Sequence, residues 1–417
     1  MIRLIEALNY RSLRYIRQDL EDFHVLVGPN ASGKSSFLDV VAFLGQFVTD
    51  GLEQAVYERA RDFRDLVWAH LFNQFELAVE FEIPEAKRLH LERAGYDRVR
   101  YEVAVGGDKA NSPLSIVSEK VFFKVSSAPP QFHHQKELFP VEPHPPETII
   151  TPKGTKGTKW VVNKVPGGND NYYAEMGKGW RHSFKLGPQK SALGNLPDDE
   201  SKFPVATWLR EVLMTGVSRL LLNSAAMRRP SPFTPRKVFM TDGSNLPWVI
   251  HALSEKDPLA FRAWIEHLRT ALPDLETIVT FERLEDRHRY LVVRYRNTVD
   301  IPSWMVSDGT LRLFALTLLA YLPFIEGIWL IEEPENGIHP TAVEVVFDSL
   351  SSVYNGQVLL ATHSPVILSV AEASHVLCFS KTEKGATDIV LGSEHPALRD
   401  WKGEENLGVL YAGGVLG

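Results

Sequence analysis

At 417 residues the chain has room for one large domain or two moderate ones, and with 44% apolar residues it has ample material for a core. Its charge is balanced and mildly acidic, at −7, which excludes the globally basic character of a general nucleic-acid binder. A single cysteine, Cys378, excludes a disulfide framework and fits a reducing cytoplasm. The Met1–Glu6 start is not a secretory leader, and the longest uncharged apolar run, Leu313 to Ile325, is interrupted by Pro323 and too short to span a bilayer. The expectation is a soluble cytoplasmic protein with no membrane partner.

In chain order, residues 2–8 and 13–19 read as two short strands around a turn at Tyr10-Arg11-Ser12. Phe23 to Val27 is an apolar run suited to a buried strand. It leads into Gly28-Pro29-Asn30-Ala31-Ser32-Gly33-Lys34-Ser35, followed by Ser36 and a helical pattern at Phe37, Leu38, Val41 and Leu44. A strand that turns through glycines into a helix aims backbone N–H groups and the helix N-terminus at one point, where polyphosphate binds. In such a loop Lys34 would reach the β and γ phosphates, and the Ser35 hydroxyl would ligate Mg²⁺. An ordinary glycine turn does not explain the flanking strand and helix.

Residues 75–83, 99–105 and 114–125 read as further strands. Composition changes near residue 126. Seven prolines lie between Ser126 and Gly157, with His133, His134 and His144 among them and no supporting metal-ligand pattern, so the stretch reads as a Pro-rich loop. From 151 to 190 there are eight Lys or Arg against two acids, interleaved with Trp160, Tyr172, Tyr173, Trp180 and Phe184. Basic residues with aromatics are what single-stranded nucleic acid requires, and a solvated insertion whose aromatics pack locally is the alternative. Residues 203–225 and 246–272 show helical spacing, and 276–297 returns to strand alternation. Sustained a/d heptads are absent, so no long coiled-coil arm is expected.

The C-terminal third carries three more signals. Val306-Ser307-Asp308-Gly309-Thr310 enters an apolar helix, where Ser307 and Gly309 form either a second anion-binding helix start or a plain N-cap. Gly327 to Ile331 is a continuously apolar strand ending in Glu332-Glu333. Acids at the C-terminal end of such a strand lie beside the phosphate loop in doubly wound sheets; Glu332 can hold Mg²⁺ through water and Glu333 can polarise an attacking water. Gln357 to Thr362 reads as the next strand, and His363-Ser364-Pro365 follows, with His363 able to hydrogen-bond a γ-phosphate.

Taken in order, these motifs resemble the ABC-type ATPase heads of the RecF/SMC/OLD branch. The resemblance covers residues 1–50 and about 240–380. It implies an α/β fold: a mostly parallel sheet flanked by helices, an N-terminal β-layer and a mixed α/β insertion. The organisation it implies is an N-terminal lobe at 1–74, the insertion at 75–300 and a C-terminal lobe at 301–417. Residues Gly28 to Ser36, with Ser307 and Gly309, would bind ATP. Ser35, Glu332 and Gln74 would serve Mg²⁺, with Gln74 sensing the metal and the attacking water. Lys34, Glu333 and His363 would carry hydrolysis. Glu332 departs from the family pattern, which usually has Asp there.

The resemblance further implies an ATP-driven head-to-tail homodimer. Stand-alone members of the branch serve in phage defence or toxin-like operons, so a separate effector, a nuclease or toxin, is expected. The 54 residues after His363 leave no room for the Toprim nuclease domain of OLD proteins. Nucleic acid at 151–190 is kept as a partner class. The alternatives are a RecF-like DNA-repair ATPase and an assembly scaffold with slow turnover.

Overall fold

The computed structural model describes residues 1–89, 91, 95–107, 114–126, 137–176, 181–233, 239–296, 299–322, 327–399 and 406–414. His133, His134 and Trp180 lie outside the described residues. The chain opens with β1 (Ile2–Tyr10), β2 (Leu13–Asp19) and β3 (Phe23–Val27), then α1 (Lys34–Asp50) and α2 (Leu52–Tyr57). Next come β4 (Gln74–Glu82), α3 (Glu85–Arg88), β5 (Arg98–Gly106), β6 (Ser115–Lys124), β7 (Lys159–Lys164), β8 (Asp170–Tyr173) and β9 (Arg181–Phe184). The middle holds α4 (Pro204–Thr215), β10 (Val217–Leu220), α5 (Ser224–Met227), α6 (Leu246–Lys256), α7 (Pro258–Ala271), β11 (Leu275–Glu282), β12 (Arg289–Tyr295) and β13 (Ile301–Pro302). The chain continues through α8 (Asp308–Leu318), β14 (Gly327–Glu332), α9 (Pro340–Ser351), β15 (Gly356–Ala361) and α10 (Pro365–Val370). It closes with β16 (Val376–Lys381), β17 (Thr387–Leu391), α11 (Pro396–Arg399) and α12 (Leu407–Ala412).

These elements form two compact units. The first holds Met1–Val217 and Ala373–Gly403; the second holds Ser218–Glu372 and the segment Glu404–Val415. The N-terminal β-layer of the first unit is extensive. Strands β4 to β9, which fall within the expected insertion, extend it into an eight-stranded antiparallel sheet of order β2-β1-β4-β5-β6-β7-β8-β9. The reason is alternation. On β4, Phe75, Leu77, Val79 and Phe81 are buried on one face, while Glu76 and Glu80 lie on the other. The aromatic face meets α1, with Phe43 5.9 Å from Tyr10 and 5.4 Å from Phe75 between ring centroids.

The opposite face of this sheet is charged yet buried. Arg100 sits at its centre and donates to Glu6 (2.7 Å), Glu80 (3.1 Å) and Glu102 (2.6 Å). Lys124 adds a 2.9 Å bond to Glu80. Burial works against the Glu80 charge, but Arg100 and Lys124 hold its carboxyl below the ordinary range. Part of the Pro-rich segment covers this face. The Ile149 N–H donates to Glu76 (2.7 Å), and the Thr151 N–H and hydroxyl donate to Glu102 (2.8 and 2.6 Å). These carboxylates replace a β-ladder as acceptors for a strand-free backbone.

Two helical stretches end earlier than their spacing implies. The first stops at Thr215, after which Val217–Leu220 is extended. The second divides because Pro258 cannot continue a helix; Asp257 caps the new one by accepting from the Ala260 N–H at 2.9 Å. Among the described residues the longest helix is α1, at 17 residues. No described helix is long and apolar enough to cross a membrane.

The aromatics of 151–190 face inward more than outward. Tyr172 is fully buried and stacks on Phe184 at 5.2 Å, and Trp160 packs on Phe122 at 4.9 Å. Half-buried Tyr173, with Lys153 and Arg181 over its ring, keeps the basic–aromatic character at the surface.

Glu175, beyond β8, accepts from the N–H groups of Val205 (2.8 Å) and Ala206 (2.7 Å) in the first turn of α4. Burial outweighs these bonds and pushes its carboxyl up to about 7 from 4.5. The folded chain then holds a proton that the unfolded chain releases. This contribution to stability is complete below about 4.5 and is lost as pH rises towards about 7. Thermal unfolding across this window should show Tm falling with pH, and Glu175→Gln should flatten the fall. An unchanged slope in the variant would contradict the assignment.

Candidate functional site

The first unit carries the phosphate loop. β3 pairs in parallel with β16, which pairs antiparallel with β17. The loop from Gly28 to Gly33 follows β3 and enters α1 without a side-chain cap. Its backbone is unusual: φ is 151° at Gly28, 62° at Ala31 and 111° at Gly33. Left-handed residues set among right-handed ones curl the N–H groups towards one centre, the geometry of an anion nest. Two glycines also meet their neighbours too closely for a side chain. A Cβ on Gly28 would lie 2.1 Å from the Phe379 carbonyl oxygen, and one on Gly33 would lie 2.1 Å from Thr387 Oγ1.

Lys34 is buried at the head of α1, and its ammonium donates to the carbonyls of Gly28 (2.7 Å) and Pro29 (3.0 Å). The loop is thus closed around its own cation. Ser32 is buried, and its hydroxyl has no hydrogen-bond partner among the described residues. Pro29, Asn30, Ala31 and Ser35 are exposed on the loop rim, and Ser36 is half-buried. An orphaned hydroxyl, a nest and an uncapped helix start form a donor set that fits polyphosphate.

The loop is braced from both sides of the sequence. The Thr387 hydroxyl lies 2.9 Å from the Ser32 carbonyl and 3.1 Å from Ser12 Oγ, and the Thr387 N–H donates to the Ser12 carbonyl at 3.0 Å. Behind the loop, Asp39 of α1 accepts from Tyr10 (2.6 Å), Arg11 (2.8 Å) and Arg59 (2.8 Å). Gln74 begins β4, where its side-chain amide donates to Glu76 at 3.0 Å.

The second unit carries the acids, the helix start and the histidine. β14 pairs in parallel with β15, and β14 ends at Glu332. Glu332 accepts from Arg219 of β10 at 2.6 Å. Glu333 stands at φ 50°, a left-handed conformation that a non-glycine residue adopts at a cost. Its N–H donates to the Ala361 carbonyl at 2.8 Å, and its carboxylate accepts from Asn336. Glu332, Glu333, Arg219 and Arg312 line a cleft of about 440 Å³.

Ser307 caps α8: its hydroxyl accepts from the Thr310 N–H at 3.2 Å. The neighbouring Asp308 pairs with Arg228 at 2.8 Å. The plain capping role is thus real, and the exposed serine leaves the helix start open to solvent. A Cβ on Gly309 would lie 2.3 Å from the Gly337 carbonyl, so this glycine lets the α8 start touch the turn that follows the two acids. His363 follows β15, with its N–H on Glu335 Oε1 at 2.9 Å and its ring Nδ1 2.9 Å from the Tyr411 hydroxyl.

Within the second unit the structure brings Ser307 and Gly309 to the turn after Glu333, and joins His363 to Glu335. Within the first it gathers residues 28–36 with Ser12 and Thr387, while Gln74 is bound to Glu76. Sequence reading missed Arg219, Glu335, Thr387 and Tyr411. Glu335 stands inside the Glu332–Pro340 run and had a local signal; the other three meet their partners only through folding.

Two family models match the chain. "AAA ATPase domain" matches residues 1–138, and "AAA domain, putative AbiEii toxin, Type IV TA system" matches 172–369. No curated protein sequence matches it. Among solved structures, the SMC head bound to the C-terminal winged-helix domain of ScpA is similar at 14% identity and TM-score 0.53. The match covers 93% of this chain and 97% of that one. The Smc head domain with an extended coiled coil bound to the C-terminal domain of ScpA, derived from Pyrococcus furiosus, is similar at 12% identity and TM-score 0.50. That match covers 93% and 95%. At this identity the likeness establishes the fold, an SMC-head-like α/β architecture.

The close contacts at the loop lead to a direct expectation. Gly28→Ala should push the loop off β16 and destabilise the protein by about 1–3 kcal/mol, the usual range for overpacking. Denaturant unfolding measures the loss, and nucleotide affinity should fall in the same variant. Wild-type stability with wild-type affinity would show that the loop does not need this approach.

Proposed function

We propose that the chain is an ABC-type ATPase head of the RecF/SMC branch that binds ATP with Mg²⁺, hydrolyses it, dimerises head to tail on ATP and controls a separate effector. The observation that carries this reading is the phosphate loop: a strand, a left-handed nest and an uncapped helix start around the buried Lys34.

Each residue has a role that its chemistry supports. Lys34 and the loop N–H groups neutralise the phosphates, and the ammonium exchanges the Gly28 and Pro29 carbonyls for phosphate oxygens. The Ser35 hydroxyl and the Glu332 carboxylate are hard oxygen donors of the kind that hold Mg²⁺, with Gln74 as the third proposed contact. Bound there, Mg²⁺ would supply neutralisation of phosphate charge. Glu332 must release Arg219 to serve it. Glu333 orients the attacking water, and its strained backbone supports a functional constraint at that position. His363 steadies the γ-phosphate. Ser307 and Gly309 present a second helix start, which within this branch meets the nucleotide across a dimer.

The effector reading is supported by the toxin–antitoxin description of the family model over 172–369. The solved SMC heads, bound to a domain of ScpA, show that heads of this architecture dock a separate protein. We place the chain in antiphage defence or a toxin-like operon ahead of RecF-like repair. The burial of Tyr172 and the packing of half-buried Trp160 on Phe122 weaken the nucleic-acid surface that repair would use.

Two sets of variants test this. Lys34→Ala should abolish ATP turnover, and Glu333→Gln should keep ATP bound while lowering kcat by about 10²- to 10⁴-fold, the usual worth of a positioned base. Phosphate release and nucleotide binding measure the two effects. Wild-type turnover in Lys34→Ala, or in Glu333→Gln, would overturn the assignment. In light scattering, Glu333→Gln with ATP should form a dimer, and adding Ser307→Arg should leave a nucleotide-bound monomer. A strictly monomeric Glu333→Gln would refute the dimer.

A further inference from the structure

A neutral imidazole carries one ring proton, and the bond made at one nitrogen decides which nitrogen keeps it. That choice matters at His363, because phosphate oxygens only accept. A histidine that steadies a phosphate must offer it an N–H.

The second unit holds His363 from two directions. Its backbone N–H donates to Glu335 Oε1 at 2.9 Å, and the same oxygen accepts from the Thr362 hydroxyl at 2.7 Å. This fixes the base of the ring at the end of β15. The ring itself is met by the C-terminal helix. α12 packs against α10, which begins two residues after His363, and Tyr411 of α12 places its hydroxyl 2.9 Å from Nδ1. Nδ1 is thereby engaged, and the ring is oriented by a residue 48 positions away in the chain.

We infer that Tyr411 is a positioning residue for ATP hydrolysis: its hydroxyl donates to Nδ1 of His363 and keeps the ring proton on Nε2, the tautomer able to donate to a γ-phosphate oxygen. This rests on the ATPase reading above. The phenol is suited to donate. Burial, and then the Glu335 charge, raise its pKa above the ordinary value, so it keeps its proton at neutral pH. The C-terminal helix thereby becomes part of the phosphate-sensing element.

The test uses the full chain and reads the tautomer without nucleotide. Long-range ¹H–¹⁵N spectra of histidine-labelled protein, with His363 assigned by its loss in His363→Gln, should show an Nε2–H tautomer in the wild type. Tyr411→Phe keeps the ring packing and removes one hydroxyl; it should shift His363 towards a mixture of tautomers. In parallel, Tyr411→Phe should lower kcat about three- to tenfold with KM for ATP within twofold. The double variant His363→Gln/Tyr411→Phe should be no slower than His363→Gln alone. An Nδ1–H tautomer in the wild type overturns the inference, even if the Phe variant fails to fold. So does an unchanged tautomer in Tyr411→Phe, or a kcat loss that adds in full to that of His363→Gln. A wild type without Lys34-dependent turnover, but with the expected tautomer shift, would sink the ATPase reading and leave the Tyr411–His363 pairing standing.

Discussion

The phosphate loop of the first unit depends on contacts with a segment some 350 residues downstream. Gly28 lies against the Phe379 carbonyl of β16 and Gly33 against the Thr387 side chain of β17, both at distances no Cβ tolerates. Thr387 adds hydrogen bonds to Ser32 and Ser12. A nest of left-handed residues is costly, and such backbone persists only where its surroundings over-determine it. Here β16, β17, the β1–β2 turn and the Asp39 cluster supply that restraint. The N-terminal motif is therefore not a self-sufficient loop. It is shaped by strands some 350 residues further along the chain.

The eight-stranded sheet solves a separate problem. Its aromatic face covers α1, and its other face carries acids that would be costly to bury alone. Arg100 joins three of them, and the N–H groups of Ile149 and Thr151 cap a fourth, Glu76, and one of the three, Glu102. Removing one member of such a network leaves an uncompensated buried charge, which costs far more than the intact arrangement contributes. The sheet thus ties the support of α1 to a stretch of chain that composition marks only as Pro-rich.

Much of the site was legible because its chemistry is local. The Gly28–Ser35 spacing, the apolar strand before Glu332-Glu333 and the polar turn after β15 each sit within a dozen residues, and periodicity placed strand, loop and helix around them. Of the two readings of Ser307, the structure shows the cap, on an exposed serine, and this leaves the anion-site reading open. Partnerships across the fold were not legible. Nothing near Thr387, Arg219 or Tyr411 marks them, since each acts by meeting Ser32, Glu332 or His363 through tertiary structure. The pairing of the middle strands was not legible for the same reason: alternation identifies β4 to β6 as strands, but only pairing with β1 joins them to the N-terminal layer. The helical stretch at 246–272 divides because Pro258 and the Asp257 cap outweigh its periodicity.

Conversion of ATP at the Gly28–Ser35 loop is open to direct measurement. Isothermal titration of the purified wild-type protein with ATP and Mg²⁺, followed by phosphate release from the same sample, tests it most directly. The account predicts saturable binding at one nucleotide per chain and release of inorganic phosphate that stops when Mg²⁺ is chelated. Absence of saturable binding, or phosphate release indifferent to Mg²⁺, would contradict it.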